Sequence, residues 1–554
     1  MAALVQQYNL PELLARIIVG RGIVPEEAHG WLQPRIRTSM PDPRLLKDID
    51  KAVARILRAI EAQEKVAIFG DYDVDGATST ALLVRYLKQF ALEPIVYIPD
   101  RVKEGYGPSL TAFESLESQG VSLIITVDCG TVAFDAIDTI AERNCDVIVV
   151  DHHIAQPQLP NAVAVVNPNR LDDDSACGNL AAVGVTWMLL TAINSALRDV
   201  TKKPLPDLLQ FLDLVALGTI CDVVTLKGLN RALVAQGMRV MNEQRNIGLR
   251  ALCTISRLDE APNPYHAGFL LGPRINAGGR VGAAGLGSEL LCSDDPLFCQ
   301  QAAETLDRYN GERQAIEQMV REEAERMAEC QSNLPAICVA NPGWHEGVIG
   351  IVAGRLKELY DRPALVMSIN GDTAKGSARS VPGVDIGAAV TAARQMGILT
   401  AGGGHAMAAG FSLPVQAIPA FETFLHQRLE GAVSDYQSGR QILYDAEVHV
   451  GALTLDTFAL MAQGEPYGMG NPAPRLALRQ VDIRYCERMK DAHLRLTLSQ
   501  GSATARAVAF QAVGQPLGEV LEQRKPVHLV GQLKRNRWQG VDSAQFIISE
   551  AALA

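Results

Sequence analysis

Ten cysteines are spread along the 554-residue chain without one Cys-x-x-Cys pair, which leaves neither a zinc ribbon nor a disulfide-stapled scaffold to be read from them. They read as small core residues in a reducing cytosol. Apolar runs of membrane length are lacking too: Ala181 to Leu197 is uncharged but shorter than the ~20 residues a span needs. No basic segment with a cleavage site opens the chain, so a cytoplasmic protein with no membrane partner is expected. Basic charge is scarce as well. A net charge of −11 excludes a uniformly basic nucleic-acid coat, so any polyanion must be met by local patches, and part of the acidity is explained if carboxylates gather around a metal. An apolar fraction of 48% with 20% charged residues describes folded globular material, and the length suits three or four domains of ~150 residues.

What is present is acid at the ends of apolar runs. Val66-Ala67-Ile68-Phe69 reads as a short strand buried on both faces, and from Thr78 onward Leu83, Leu87 and Phe90 mark one face of a helix. Between them Asp71, Asp73 and Asp75 alternate in Gly-Asp-Tyr-Asp-Val-Asp-Gly, a strand-to-helix loop of the kind where open parallel sheets bind ligands. Carboxylates this close repel one another without a cation, and hard oxygen ligands favour Mg²⁺ or Mn²⁺. Three other readings compete. A plain acidic turn is one. A calcium loop requires Glu six positions after the glycine, where this chain has Leu82, and a helix upstream, where it has a strand. The Asp-x-Asp-Gly phosphatase signature would make Asp73 a covalent nucleophile and Asp75 an acid.

Further strands follow at Ile95 to Ile98, Leu123 to Val127, Val147 to Val150 and Val163 to Val166, alternating with helical patterns as in a parallel α/β sheet. Asp128 follows the second of these and Asp151-His152-His153 the third, so metal-type ligands arrive at the same carboxyl edge. Asp222, after the apolar helix ending at Cys221, is equally a ligand or a helix cap. Carboxylates with one or two imidazoles suit a pair of Mn²⁺ or Mg²⁺ ions acting on a phosphate ester.

Downstream, Arg274 to Arg280 reads as a short basic, glycine-containing turn, and Pro296 to Cys330 as a long charged helix connecting two lobes. A second α/β unit carries Trp344 to Gly350, a Gly-Ser-x-Arg-Ser turn around Ser377 and Arg379, and Gly402-Gly403-Gly404-His405. Glycines let backbone N–H groups approach a phosphate, and Arg379 and Ser377 add side-chain donors. The last hundred residues hold short strands at 446–450, 494–498, 505–510, 527–530 and 545–548, a small β barrel. There Lys534, Arg535 and Arg537 stand beside Trp538, the mix that grips a single strand and stacks a base, with a solvated hairpin as the rival reading.

Taken together, Gly70 to Gly76, Val127 to Gly130, Asp151 to His153 and Cys221-Asp222 resemble the four successive motifs of the DHH phosphoesterase superfamily. The covalent-phosphatase reading has no place for the Asp-His-His element. With Arg101 to Gly107, Asn276 to Arg280 and the later motifs, nearly the whole chain resembles the RecJ family of single-strand-specific 5′→3′ DNA exonucleases, although Ala378 stands where a glycine is common. The resemblance implies an N-terminal helical segment (1–60), a parallel-sheet DHH catalytic domain (61–235), a helical region with a connecting helix (236–330), a smaller α/β DHHA1 domain (331–432) and an OB-fold for single strands (440–554). It implies two divalent cations, Mn²⁺ or Mg²⁺, held by Asp73, Asp75, Asp128, His152 and Asp222, with Asp128 bridging and Asp71 as a nearby or alternative ligand. His153 stabilises the charge developed as an activated water attacks phosphorus, and Asp151 orients a histidine. Arg101, Arg280, Ser377, Arg379, Gly403, Gly404 and His405 meet phosphates, while Lys534, Arg535, Arg537 and Trp538 meet the strand. The expected reaction is release of 5′-mononucleotides from single-stranded DNA in repair and recombination, with a single-strand-binding protein and a helicase as family-type partners. Two other expectations remain: a DHH enzyme for short RNA, cyclic dinucleotides or pyrophosphate, and a catalytically silent replication scaffold, which would be expected to lack some of these acids.

Overall fold

The computed structural model describes all residues except 101–103, 106, 144, 202–203 and 440. Its first sheet is wholly parallel: β1 (Val66–Gly70), β2 (Ile95–Tyr97), β3 (Leu123–Val127), β4 (Asp146–Val150) and β5 (Ala164–Val166), in the order β2-β1-β3-β4-β5. Strand periodicity divides the side chains between two cores. Val66, Ile68, Ile125, Val127, Ile148 and Val150 pack against helices on one face, Ala67, Phe69, Ile124, Val147 and Val149 on the other. Pairing Gly70 with Val127, and Val127 with Val150, brings three strand ends level, so the residues that follow share one edge.

The second sheet, β6 (Ile337–Pro342), β7 (Ala364–Asn370), β8 (Thr373–Arg379), β9 (Ala401–His405) and β10 (Ala408–Pro414), runs β6-β7-β8-β10-β9 and is antiparallel except for β6–β7. A 33-residue helix, Pro296–Ala328, joins the lobes, and at 1.5 Å per residue it is about 50 Å long. Cys299, Ala302 and Leu306 sit in the core beside the first sheet's helices, whereas Val320, Ala324 and Ala328 sit in the core of the second sheet.

The C-terminal strands are β11 (Ala446–Glu447), β12 (Leu476–Met489), β13 (His493–Gln500), β14 (Ala503–Ala509), β15 (Val527–Trp538) and β16 (Val541–Leu553), closed into a barrel by pairing of β12 with β15. Ile17, from the N-terminal helix Glu12–Gly20, inserts into the barrel core, so the start of the chain is part of this unit's packing. Among the described residues no helix is long and apolar enough to cross a membrane.

Several local expectations are corrected. Asn276 to Arg280 lies inside the helix Gly272–Val281, where small residues permit close packing: a Cβ on Gly279 would lie 2.2 Å from the Tyr72 ring. The Ser377–Arg379 segment is not a turn but part of β8, because its residues pair with both β7 and β10. Gly402 to His405 likewise forms the edge strand β9, paired with β10 alone. In the barrel, the strand expected over 446–450 is only two residues long, and the 14-residue β12 was not anticipated.

Candidate functional site

Asp73 caps the helix Val74–Lys88: its Oδ1 accepts the backbone N–H groups of Asp75 (2.9 Å) and Gly76 (3.1 Å). Gly76 is required by crowding, since a Cβ there would lie 2.5 Å from the Asp71 carbonyl oxygen. Asp75, on the first turn, is buried and reaches the start of another helix, Ala182–Val200. Its two oxygens accept the N–H groups of Ala182 (2.6 Å) and Val183 (2.9 Å). Asp71 is also buried, with Oδ1 accepting the Tyr72 N–H at 2.7 Å.

Asp128 leaves β3 with φ of 61°, in the left-handed region. Its Oδ1 lies 3.3 Å from His152 Nε2 and 3.9 Å from His153 Nδ1. The Leu180 carbonyl lies 3.1 Å from His152 Nδ1 and accepts the ring proton in the tautomer that leaves the Nε2 lone pair facing Asp128 and Asp75, the latter at 3.8 Å. Burial lowers the pKa of His152, which favours this neutral form. Asp151 is turned away from the cluster. Its Oδ1 accepts from His152 N (2.7 Å), His153 N (3.1 Å) and His153 Nδ1 (2.8 Å), and its Oδ2 from Thr131 N (3.1 Å). Burial alone would raise its pKa, but these donors and the His153 charge hold it well below the usual carboxylate range. Burial works against a charged His153 too, yet the hydrogen bond and charge of Asp151 prevail and push its pKa up to about 9. Asp222 terminates the helix Leu212–Cys221, and its Oδ2 lies 3.7 Å from His152 Nδ1.

These side chains fall into three interlocking groups whose ligand atoms lie within 4.8 Å of one another: Asp71–Asp73–Asp128, Asp128–His152–His153 and Asp75–His152–Asp222. Asp128 and His152 each belong to two of them. The donor set fits divalent cations on independent grounds. Asp222 Oδ2 is buried and, among the described residues, has no hydrogen-bond partner. Burial first, then Asp222 and Asp73, raises the pKa of Asp75 well above the carboxylate range, and burial with Asp73 and Asp75 does the same to Asp128. Asp222 is pushed up to about 7 by burial and Asp73. A cluster of this kind is short of positive charge, and hard oxygen donors with a neutral imidazole match Mn²⁺ or Mg²⁺.

The remaining expected residues lie around this edge or on the other units. Arg280 Nη1 donates to the Gly347 carbonyl at 2.8 Å, bridging the two lobes. Arg379 Nη1 donates to Ser377 Oγ (3.0 Å) and to the Ala378 carbonyl (2.8 Å). Gly350 lies against that pair: a Cβ there would be 3.1 Å from Arg379 Nη2. Arg280 therefore meets the first turn of the helix Glu346–Tyr360 and Arg379 its second turn. On β9 Gly403 has open space beside it, whereas Gly404, at φ of 156°, is packed against Ala408 and Ala409, and His405 is exposed. Lys534, Arg535, Arg537 and Trp538 occupy the exposed end of the β15–β16 hairpin, with Arg535 paired to Asp542 at 2.9 Å. Arg101 lies outside the described residues.

Two contributors were missed from sequence. Asn276 Oδ1 accepts the Val74 N–H at 3.1 Å and so holds the start of the helix bearing Asp75, while Gly279 receives the Tyr72 ring. Their motif was visible, but only a helical reading of it would have turned Asn276 and Gly279 toward the acids.

Three family models match the chain: the DHH family, N-terminal domain, over residues 65–219; the DHHA1 domain over 333–431; and the RecJ OB domain over 444–550. The single-stranded-DNA-specific exonuclease RecJ of Haemophilus influenzae is 34% identical, with 93% of this chain and 92% of that protein covered. The protein of the same name from Bacillus subtilis is also 34% identical, over 100% of this chain and 69% of its own length. Among solved structures, RecJ in complex with Mn²⁺ from Thermus thermophilus superposes with a TM-score of 0.77 at 28% identity, covering 98% of this chain and 78% of that one. Exonuclease RecJ bound to manganese gives 0.59 at 32% identity, covering 70% and 95%.

Proposed function

The chain belongs to the RecJ family, and on that premise we propose that it is a divalent-metal-dependent exonuclease that removes 5′-mononucleotides from single-stranded DNA in the 5′→3′ direction. The observation that carries the chemistry is the sharing of Asp128 between two ligand groups, with its Oδ1 3.3 Å from His152 Nε2. Two cations, Mn²⁺ or Mg²⁺, would be held by Asp73, Asp75, Asp128, His152 and Asp222, with Asp71 as a nearby or alternative ligand. When bound they supply a polarised phosphate and a water of lowered pKa.

The chain's own residues do the rest. Asp75 is fixed by two backbone N–H groups and Asp73 by its capping bonds, so neither carboxylate must be ordered when substrate arrives. His153 keeps a proton on Nδ1 against Asp151 and presents Nε2–H, as an imidazolium, to charge developing on the phosphate. Asp151 is a positioning residue: it bonds the backbone N–H of both histidines and aims the second ring. Arg280, Ser377 and Arg379 with the Gly403 edge of β9 meet phosphates, and the barrel hairpin holds the following strand. We take the domains as 1–60, 61–235, 236–330, 331–432 and 440–554, with Ile17 of the first packed into the barrel of the last. Ten free cysteines support a reducing, cytoplasmic setting, and the family supports a single-strand-binding protein and a helicase as partners.

Incubating the protein with 5′- and 3′-labelled single strands, with and without Mn²⁺, tests the reading. Mononucleotides are expected from the 5′ label at the earliest times, only with the ion. Shortening from the 3′ end, or turnover in EDTA, would overturn it.

A further inference from the structure

One helical run connects the barrel to the metal cluster. It comprises Pro264–His266, the π-helical stretch Ala267–Leu271 and the helix Gly272–Val281 that carries Asn276, Gly279 and Arg280. Its middle abuts the end of the helix bearing Asp222, because the Cys221 thiol donates to the Ala267 carbonyl at 3.5 Å and a Cβ on Gly268 would meet Ile220 at 3.4 Å. Its start carries two large aromatics one turn apart. Tyr265 and Phe269 are 57% and 68% exposed, and their rings stack at 5.0 Å with 24° between planes. Lys534, from the barrel hairpin, holds its Nζ 5.7 Å from the Tyr265 ring centre. Among the described residues Lys534 makes no ion pair, unlike its neighbour Arg535.

Side chains of this size at i and i+4 on a helix normally bury the face they share. Here that face stays in solvent beside a cation and next to the segment that delivers Asp222. A flat apolar surface with a flanking ammonium matches an unpaired nucleobase and its phosphate, since every base has a π face and the charge is complementary. A protein partner's apolar side chain would not use the cation. π-Helical stretches also recur at functional sites.

We propose that Tyr265 and Phe269, with Lys534 from the barrel, form a stacking subsite for one unpaired nucleobase of the strand outside the metal cluster. This rests on the nuclease reading above for the identity of the strand, but its test does not need turnover. Strands carrying a single 2-aminopurine at successive positions are titrated with the full-length protein in EDTA. One position is expected to lose fluorescence on binding. Phe269→Ala and Tyr265→Ala should abolish that quenching and weaken binding of a long strand by about tenfold each, while Phe269→Trp restores both. Lys534→Ala should reduce affinity and its salt dependence without moving the quenched position. An abasic site at that position should make wild type and Phe269→Ala bind equally. Unchanged affinity and quenching in both alanine variants would overturn the subsite. Loss of quenching in Phe269→Trp as well would do the same, because the site would then be responding to damage and not to the lost ring. Failure of the labelled-strand assay would instead strike the nuclease reading.

Discussion

Arg231 lies with its guanidinium carbon 4.3 Å from the centre of the Trp31 ring, and its nitrogens donate to the carbonyls of Trp31, Gly464, Glu465 and Pro466. A buried arginine on a helix of the catalytic unit thus holds both the N-terminal segment and the chain leading into the barrel. Burial lowers its pKa to about 10, yet it remains charged at neutral pH.

Replacing it with methionine keeps much of the volume but strands the Trp31 and Glu465 carbonyls, while those of Gly464 and Pro466 keep the Asn471 Nδ2 amide as a donor. We expect Arg231→Met to cost about 3 kcal/mol of stability, since unmet buried polar groups cost ~1–3 kcal/mol each and some carbonyls will find water. Denaturant unfolding measures the loss. Limited proteolysis should show new cleavage between 440 and 475. A variant as stable and as protease-resistant as wild type would mean that the barrel is docked by other contacts.

Asp128 offers a test in which stability and activity move in opposite directions. Its pKa is raised by burial and by Asp73 and Asp75, so without a cation the cluster is self-repelling. Asparagine tolerates the left-handed backbone at this position. Asp128→Asn is therefore expected to raise the melting temperature of the metal-free protein by a few degrees, to shrink the further rise on adding Mn²⁺, and to cut hydrolysis at least ~1000-fold. Thermal melts with and without Mn²⁺, alongside turnover, check all three. A metal-free variant less stable than wild type would show that the carboxylate is compensated within the protein.

How much of this was legible follows from where each signal resides. Asp71, Asp73, Asp75, Asp128 and Asp151-His152-His153 could be read because they directly follow short apolar runs, and parallel pairing then forces such residues to one edge. Asp222 follows a helix, so spacing left it equally a cap; only the fold brings its Oδ2 within 3.7 Å of His152 Nδ1. Local composition misled where glycine was taken for a turn. Gly278 and Gly279 lie in a helix and are glycines because Ala283 and Tyr72 leave no room for a Cβ, and Gly376 lies in β8 under the Phe411 ring. The strand β12 escaped because a bulge between Ile483 and Tyr485 breaks its alternation of apolar and polar residues. The contacts of Arg231 span 200 residues of sequence or more and leave no local pattern.

Gly279 tests the part of the site that sequence did not reveal. A Cβ there would lie 2.2 to 2.8 Å from three Tyr72 atoms, and Tyr72 sits between Asp71 and Asp73. Gly279→Ala must push the ring, and with it the acids' backbone. The expected result is a loss of about 1–3 kcal/mol in stability and weaker Mn²⁺ binding, read by calorimetric titration. Tyr72→Ala in the same chain should restore part of both, a coupling that a double-mutant cycle isolates. Full metal affinity in Gly279→Ala alone would show that Tyr72 moves without the carboxylates.

Direction of digestion needs a source other than the metals, because two ions between carboxylates contain no instruction about which strand end enters. The candidates are Arg379 and Ser377 on β8 with Arg280, all within the first two turns of the helix Glu346–Tyr360, toward the end where the helix dipole favours an anion. A terminal 5′-phosphate held there would set the first phosphodiester at the cluster and limit each cut to one nucleotide. Arg379→Ala is accordingly expected to lower kcat/KM on 5′-phosphorylated strands by roughly 30-fold, about 2 kcal/mol, with a much smaller effect on 5′-hydroxyl strands. Mn²⁺ affinity should stay unchanged. The comparison is a cycle of enzyme variant against substrate end, so general damage to the lobe cancels and only the coupling between guanidinium and terminal phosphate remains. Equal losses on both substrates would place Arg379 in the support of β8 and remove it from end recognition.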